Sequence, residues 1–578
     1  MSKIKNKKEN IKNEEVIKIL LKNRGIKTKK ETEDFLNPKL SEITIENVRI
    51  SRPQVKKSID RIKKAIKNKE QIVVYGDYDV DGICGTAILW ETLNDLGAKV
   101  MPYIPHRIDE GYGLSEKGIK NLSIRQAQDK IKNCSLIITV DNGIVANKAV
   151  AFAKKQGIDV IITDHHVPSK QLPKAFSIVH TTLLCGAGVA YMLSREIQNT
   201  KYKIPDTHLE LVALATVADL VPLLGANRTL LKHGLLDLHK TKRSGLLALF
   251  KEAQINQGTI GVYEIGHIIA PRLNAMGRLE SAMDSLRLVC TTNRQRALAL
   301  AHKLGSTNKE RQNVTEEAVT HAKAKVRASK FEKEKLLFIA DKSYEQGVIG
   351  LVAGRLVEEF YIPSIVVSKG KVYSKASARS VSGFNIIEFI RSELAFLVDV
   401  GGHPMAAGFT VETTKLALLE KNLKKRAKES LGEEMLKRSI KIDLELPGSL
   451  ISQELYDAIQ KLQPFGMKNP EPTFLTRNFV IEDMRLVGNG GKHLKMRFTI
   501  DDPPAIASKA LRAGLRLTIE GIAFGMGEGN SFKIGDRVDV VYTLSENEWP
   551  ARRSFGEGGN GNKKIELKIK DIRKSKVI

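Results

Sequence analysis

Short apolar runs bounded by polar segments recur between about residues 55 and 220: QIVVY at 71–75, VMPYI at 100–104, SLIITV at 135–140, DVIIT at 159–163 and FSIV at 176–179. Uninterrupted runs of this length suit strands buried on both faces of a parallel sheet, and the longer stretches between them have room for crossover helices. The pattern predicts an α/β domain over 51–225. In open sheets of this type ligands gather beyond the carboxyl ends of the strands. The polar clusters fall there: Asp77 to Asp81, Asp141, and Asp164 to His166.

The pattern then changes three times. Residues 226–330 read as mostly helical, and the charged stretch 293–330 has the length of a connecting helix or helix pair between two lobes. A second α/β segment over 331–435 contains the strand-like runs LLFIA and SIVVS and the glycine-rich GGHPMAAGF. From 436 to 578, β-type runs such as LKMRFTI, DVVYTL and KIELKIKDI separated by turns predict a small barrel. Residues 1–50 are basic, then helical, and read as an extension to the first domain. Phe555 to Lys564 is a glycine-rich stretch that reads as a hairpin tip.

Composition narrows the class. The chain has 578 residues, and 93 Lys and Arg against 66 Asp and Glu give a formal charge of +27, which favours a polyanionic partner. Lysine-rich usage across a proteome would produce the same excess, so charge alone makes nucleic acid an even bet. No apolar run reaches the roughly 18 residues that span a bilayer. The four cysteines, Cys84, Cys134, Cys185 and Cys290, are far apart and form no CxxC pair, which fits a reducing cytoplasm and excludes a disulfide scaffold.

The candidate chemistry lies in VVYGDYDVDGIC, 73–84, where Asp77, Asp79 and Asp81 alternate after a strand and before a glycine. Carboxylates this close repel unless a cation joins them, and hard divalent ions prefer such oxygen ligands. A solvated turn would explain this one cluster equally well. Three others change the balance: TVDNG at 139–143, TDHH at 163–166 and TVADLVP at 216–222 each put Asp, or Asp with His, at the end of an apolar segment.

With these motifs in this order, the chain resembles the DHH phosphoesterase superfamily, whose motif stands here as Asp164-His165-His166. Within it, the chain is similar to the RecJ family of single-strand-specific 5′-to-3′ exonucleases. The resemblance runs from LLKNRGI and FLNP to IKDIR, and includes GHIIAPRLNAMGRL at 266–279, QGVIGLVAGRL, SARS, GGHPMAAGF and LQPFGMKNPEPTF. It implies a DHH catalytic domain with a parallel sheet, a long connecting helix, a DHH-associated lobe and a C-terminal oligonucleotide-binding barrel.

By this resemblance Asp79, Asp81, Asp141, His165 and Asp219 would hold two Mn²⁺ or Mg²⁺ ions, with Asp141 as a bridge. Asp77 and Asp164 would be ligands or partners of ligands, and His166 would sit beside the scissile phosphate. Two such ions can activate water and neutralise charge on a phosphate during in-line attack, and imidazole among the ligands suits manganese at least as well as magnesium. Arg107, Arg272, Asn274, Ser377, Arg379, Ser380 and His403 match positions expected to grip the strand or its 5′ phosphate. A single arginine is more often solvated or in a structural ion pair, but motif context favours Arg272 and Arg379. Phe465, Phe474, Phe498 and Tyr542 are expected mostly in the barrel core, interspersed with Lys492, Lys495 and Arg497.

The implied function is processive removal of 5′ mononucleotides from single-stranded DNA in repair and recombination. The implied partners are a RecQ-like helicase and a single-stranded DNA-binding protein, and monomer is the default state. Two rivals stand beside it: a DHH phosphodiesterase for short oligoribonucleotides or cyclic dinucleotides, and a non-catalytic strand-binding scaffold. The chain departs from the family at Tyr344-Glu345, where Trp-His is common, and at His180-Thr181, where Asn-Pro is common. Neither departure touches a metal position.

Overall fold

The computed structural model describes residues 12–107, 109–111, 113–128, 134–198, 208–329, 331–499, 518–527, 531–547 and 564–575. The glycine-rich stretch at 555–563 lies outside them. The chain divides into two compact units, one made of residues 43–221 and 230–439, the other of 1–42, 222–229 and 440–578.

In the larger unit β1 (Gln71–Tyr75), β2 (Val100–Tyr103), β3 (Cys134–Val140), β4 (Asp159–Asp164) and β5 (Ser177–His180) form an all-parallel sheet in the order β2-β1-β3-β4-β5. Each apolar run of the sequence is a strand here. From β1 the chain crosses to β2 on one side, then returns past β1 to β3 on the other. That reversal opens a crevice at the carboxyl ends of β1 and β3, the place where open α/β sheets bind ligands. Helix Val80–Asp95 leaves the end of β1 and packs on helix Gly186–Gln198 and on helix Leu209–Ala218, whose residues are all buried up to Val217.

Helices Ser244–Glu252, Ala270–Leu279 and Met283–Cys290 pack on the expected connecting helix, Arg294–Arg327. Its 34 residues reach about 50 Å at 1.5 Å per residue. Beyond it, β6 (Leu337–Asp341), β7 (Ser364–Ser368), β8 (Tyr373–Arg379), β9 (Leu397–His403) and β10 (Ala406–Glu412) form the sheet of the second lobe, in the order β6-β7-β8-β10-β9. Only β6 and β7 run parallel; the other pairings are antiparallel. The departure at Tyr344 leaves a buried ring, edge-on to His321.

In the smaller unit β11 (Leu444–Glu445) pairs with β12 (Phe474–Val487), which continues through β13 (His493–Thr499), β14 (Thr518–Ala523), β16 (Lys564–Lys574) and β15 (Arg537–Asn547). A further pairing of β12 with β15 closes the last five into a barrel. Phe474, Phe498 and Tyr542 are fully buried in its core and Phe465 is partly buried against it, as alternation along a strand predicts. The basic residues are less free than expected: Lys495 pairs with Glu520 and Glu566, and Arg497 lies 3.9 Å from Glu520.

The N-terminal helices correct one expectation. Val16, Leu20 and Leu21 of helix Asn13–Asn23 and Phe35 of helix Lys29–Leu36 belong to the barrel's hydrophobic core, so this segment is part of the barrel unit and not an extension of the first domain. Arg228 ties the pieces of that unit together. Its fully buried guanidinium lies 3.7 Å from the Phe35 ring centroid and donates to the carbonyls of Phe35 (2.8 Å) and Gln463 (2.6 Å). Burial, with Arg24 nearby, pulls its pKa down to about 10. Arg228→Met would keep the volume but strand both carbonyls. A loss of about 2–4 kcal/mol is expected in the calorimetric unfolding of this unit, and an unchanged transition would show the buried charge to be dispensable.

Candidate metal centre and phosphate site

The end of β1 turns straight into a helix. Asp79 caps helix Val80–Asp95, its Oδ1 accepting from the backbone N–H of Asp81 (3.0 Å) and Gly82 (3.1 Å). The turn is tight enough that a Cβ on Gly82 would lie 2.5 Å from the Asp77 carbonyl. Asp81, inside the helix, reaches the start of helix Gly186–Gln198. Its two oxygens accept the N–H groups of Gly186 and Ala187, both at 2.6 Å, where the helix dipole favours a negative charge.

Asp141 follows β3 in the left-handed region, at φ 62°, a conformation costly for a residue with a side chain and concentrated at functional sites. A Cβ on Gly186 would come within 2.6 Å of the Asp141 Cβ, so only glycine lets that helix start so close. Asn142 fixes the turn: its amide donates to the carbonyls of Val140 (2.8 Å) and Tyr75 (3.3 Å), and its Oδ1 accepts from Leu114 N–H (3.1 Å). One side chain thus links the ends of β1 and β3 to the segment after Arg107.

Both oxygens of Asp164 are taken up locally. Oδ1 accepts the N–H groups of His165 (2.7 Å) and His166 (3.1 Å) and pairs with His166 Nδ1 (2.8 Å), while Oδ2 accepts Ile144 N–H (2.9 Å). Burial would by itself raise the Asp164 pKa, but the His166 hydrogen bond and charge, with the backbone donors, hold it below the usual carboxylate range. Burial would likewise lower His166, yet the hydrogen bond and charge of Asp164 raise it above an ordinary histidine. His180, one of the departures, lies with Nε2 2.8 Å from the His166 carbonyl and steadies the same turn.

The geometry brings the predicted residues together. Asp77, Asp79 and Asp141 offer ligand atoms within 4.8 Å of one another, as do Asp81, His165 and Asp219, and Asp141, His165 and His166. Asp141 and His165 each belong to two of these groups. His165 Nε2 lies 3.1 Å from Asp141, 3.6 Å from Asp219 and 3.7 Å from Asp81, yet it makes no hydrogen bond with a described group, and neither does the buried Oδ1 of Asp77. Burial first, then mutual repulsion, pushes Asp77 and Asp141 well above the carboxylate range, raises Asp79, and lifts Asp219 to about 9. Burial keeps His165 below its ordinary value despite Asp81. Buried carboxylates around an imidazole nitrogen, with donor atoms unsatisfied, fit divalent cations of the manganese and magnesium type.

A second cluster has the opposite sign. Arg379 of β8 is mostly buried and donates to Ser377 Oγ (3.1 Å) and the Ala378 carbonyl (2.9 Å), with bare Gly350 packed on both side chains. Arg278 donates to the Gly347 carbonyl (3.0 Å). Its pKa falls to about 10 through burial and through the charges of Arg107, Arg311 and Arg379, and Arg379 is lowered by burial and by Arg107. Among the described residues none of the four pairs with a carboxylate at ion-pair distance, and Arg107 lies over the Tyr78 ring. His403 stacks on His166 with centroids 6.2 Å apart, joining the second lobe to the DHH turn.

Several predicted residues already make contacts within the protein. Arg272 is held by Glu252 (2.7 Å) and the Ile268 carbonyl (3.0 Å), away from the arginine cluster. Asn274 Oδ1 accepts from Val80 N–H (3.0 Å), and the Ser380 hydroxyl donates to the Phe384 carbonyl (2.6 Å). The reading of the sequence missed Arg278, Arg311 and Asn142. Arg278 stood inside the GHIIAPRLNAMGRL motif, whereas Arg311 carried no signal among the charges of the long helix.

Comparison with known proteins gives the same architecture. Residues 71–216 match the DHH family, N-terminal domain, residues 333–429 the DHHA1 domain, and residues 442–571 the RecJ OB domain. The chain is 36% identical to the single-stranded-DNA-specific exonuclease RecJ of Bacillus subtilis over 89% of its own length, and spans 63% of that relative. The RecJ of Escherichia coli is 31% identical, with 87% of this chain and 89% of that protein covered. The crystal structure of Thermus thermophilus RecJ in complex with Mn²⁺ superposes with a TM-score of 0.78 at 27% identity, covering 97% of this chain and 76% of that one. The alternating aspartates, the DHH turn and the closed barrel therefore have one common origin, and the chain belongs to the RecJ family of the DHH superfamily.

Proposed function

We propose that the chain is a metal-dependent exonuclease that removes nucleotides from the 5′ end of single-stranded DNA. The observation that carries the reading is the pairing of two complementary sites: a buried carboxylate and imidazole cluster, and a group of arginines that, among the described residues, have no carboxylate at ion-pair distance. The relatives are described as single-stranded-DNA-specific exonucleases, and structures of T. thermophilus RecJ hold Mn²⁺ or Mg²⁺. The barrel supports a long strand over a dinucleotide as substrate, and the filled set of acidic positions speaks against a scaffold. Work in DNA repair and recombination in the cytoplasm, alongside a helicase and a single-strand-binding protein, belongs to this reading. No helix among the described residues is long and apolar enough to cross a membrane.

In this reading Asp79, Asp81, Asp141, His165 and Asp219 would hold two divalent cations, with Asp77 beside Asp79. Such ions, when bound, activate water and neutralise charge on the phosphate under attack. Asp164 is spent on orienting the turn. Its hydrogen bond and charge hold His166 cationic toward higher pH, beside the carboxylate cluster where a phosphate would lie. Arg107, Arg278, Arg311 and Arg379, with Ser377, seat a phosphate whose charge they balance, and guanidinium groups do this by bidentate hydrogen bonds. His403 closes the site from the second lobe.

Three outcomes test this. With Mn²⁺ and a 5′-phosphorylated, 3′-labelled single strand, the protein should shorten the strand from its 5′ end, and Asp141→Ala should cut the rate by about a thousandfold or more. Equal digestion of a 5′-blocked strand or of blunt duplex would sink the reading. Arg379→Ala or Arg278→Ala should reduce the preference for a 5′-phosphate over a 5′-hydroxyl by about tenfold or more, the worth of one charge-assisted hydrogen bond.

The third concerns stability. Folding raises the Asp141 pKa, so its ionisation weakens the folded state progressively as pH climbs past the ordinary carboxylate value. Asp141→Asn removes that cost and tolerates the left-handed backbone. Thermal unfolding in chelator at neutral pH should therefore show the variant more stable than the wild type by about 1 kcal/mol or more, with the stabilisation by added Mn²⁺ reduced. A less stable variant in chelator would contradict the repulsion argument.

A further inference from the structure

The family motif that contains Arg272 invites a contact with substrate, but the atoms point elsewhere. Helix Ala270–Leu279 follows a π-helical turn, Ile265–Ile269, whose wider spacing interrupts the regular ladder. Arg272 Nη1 donates to the carbonyl of Ile268 in that turn (3.0 Å), and Nε donates to Glu252 Oε2 (2.7 Å). Glu252 in turn lies against the connecting helix where Gly305 leaves room: a Cβ on Gly305 would sit 2.0 Å from Glu252 Oε1. Three helices meet at this one ion pair, which is largely shielded from solvent.

The same helix carries the turn of aspartates. Asn274, two residues on and so on the opposite side of the helix, accepts Val80 N–H at 3.0 Å. Gly277 packs so closely that a Cβ would lie 2.6 Å from the Tyr78 carbonyl. The backbone between Asp77 and Asp81 is therefore braced from outside by helix Ala270–Leu279, and the position of that helix is set by Arg272, Glu252 and Gly305. We infer that Arg272 is a positioning residue for the carboxylate site: with Glu252 it locks helix Ala270–Leu279 in the place from which Asn274 and Gly277 hold Asp79 and Asp81 in register for divalent cations. This rests on the metal-site reading above and goes beyond it, because it removes Arg272 from the strand-binding set and adds Glu252 and Gly305 to the residues on which the metal depends.

The test measures Mn²⁺ affinity by calorimetry and affinity for a 5′-phosphorylated strand by fluorescence anisotropy in chelator, for wild type, Glu252→Gln, Arg272→Gln and the double variant. Each single variant should weaken Mn²⁺ binding about tenfold, the scale seen when partners of metal ligands are removed. The double variant should be little worse than either, since both break one interaction. Strand affinity should stay within about twofold of wild type, because neither side chain seats a phosphate in this account, and saturating Mn²⁺ should restore most of the lost rate. Gly305→Ala leaves both charges in place and displaces only the Glu252 carboxylate, so it carries the same expectation if a charge variant fails to fold.

A wild type that binds no Mn²⁺ would overturn the metal-site reading itself. A wild type that binds Mn²⁺, with Arg272→Gln losing strand affinity and Glu252→Gln unaffected, would overturn the inference and return Arg272 to the strand. Lower thermal stability with unchanged Mn²⁺ affinity would overturn it too, leaving the pair a structural brace only.

Discussion

Asp77, Asp79, Asp81, Asp141 and Asp219 converge where the sheet reverses direction, and their repulsion is the constraint around which the rest of the unit is arranged. A folded chain tolerates such convergence only by three means: donating hydrogen bonds to the carboxylates, leaving some of them protonated, or binding cations. The chain uses the first for Asp81 and Asp164, whose oxygens are filled by backbone N–H groups. Burial and mutual repulsion push Asp77, Asp79, Asp141 and Asp219 above the carboxylate range, Asp79 despite its two backbone donors. Backbone donors thus fix the orientation of Asp81 and Asp164, while Asp77 and Asp141 rely more on the cations proposed above.

Backbone geometry explains why the convergence is possible. The ends of β1 and β3 lie side by side because the chain switches direction between them, and Gly82 and Gly186 remove the side chains that would keep the turns apart. Asp141 accepts a left-handed backbone to aim its carboxylate inward, and Asn142 fastens that conformation to both strand ends. The strain at Asp141 is opposed by a neighbour with three hydrogen bonds.

Much of this was legible from the chain. Parallel strands announce themselves by unbroken apolar runs, and carboxylates at the ends of three such runs and of the apolar helix Leu209–Ala218 made the fold class and the acidic positions legible, with the family resemblance supplying their metal roles. What could not be read was which partner each polar group would find. Arg272 and Arg278 sit six residues apart in one motif, and only the fold shows that one faces Glu252 while the other faces three arginines. The N-terminal helix shows the same limit: Val16, Leu20 and Leu21 mark an apolar face, but a face does not name what covers it, and here that is the barrel 420 residues away.

The two clusters also constrain each other. Arginines without acidic partners among the described residues are costly to bury, just as the carboxylates are, and burial has already lowered Arg278, Arg311 and Arg379. Neither cluster relaxes by pairing with the other, although Arg107 lies close enough to Asp77 to lower its pKa. Tyr78 stands between Asp77 and Asp79 with Arg107 over its ring, and its backbone is pressed by Gly277. That arrangement places unlike charges near each other without an ion pair between them among the described residues. In the function proposed above, a ligand with an anionic end and a cation-bridged centre would offset both costs at once.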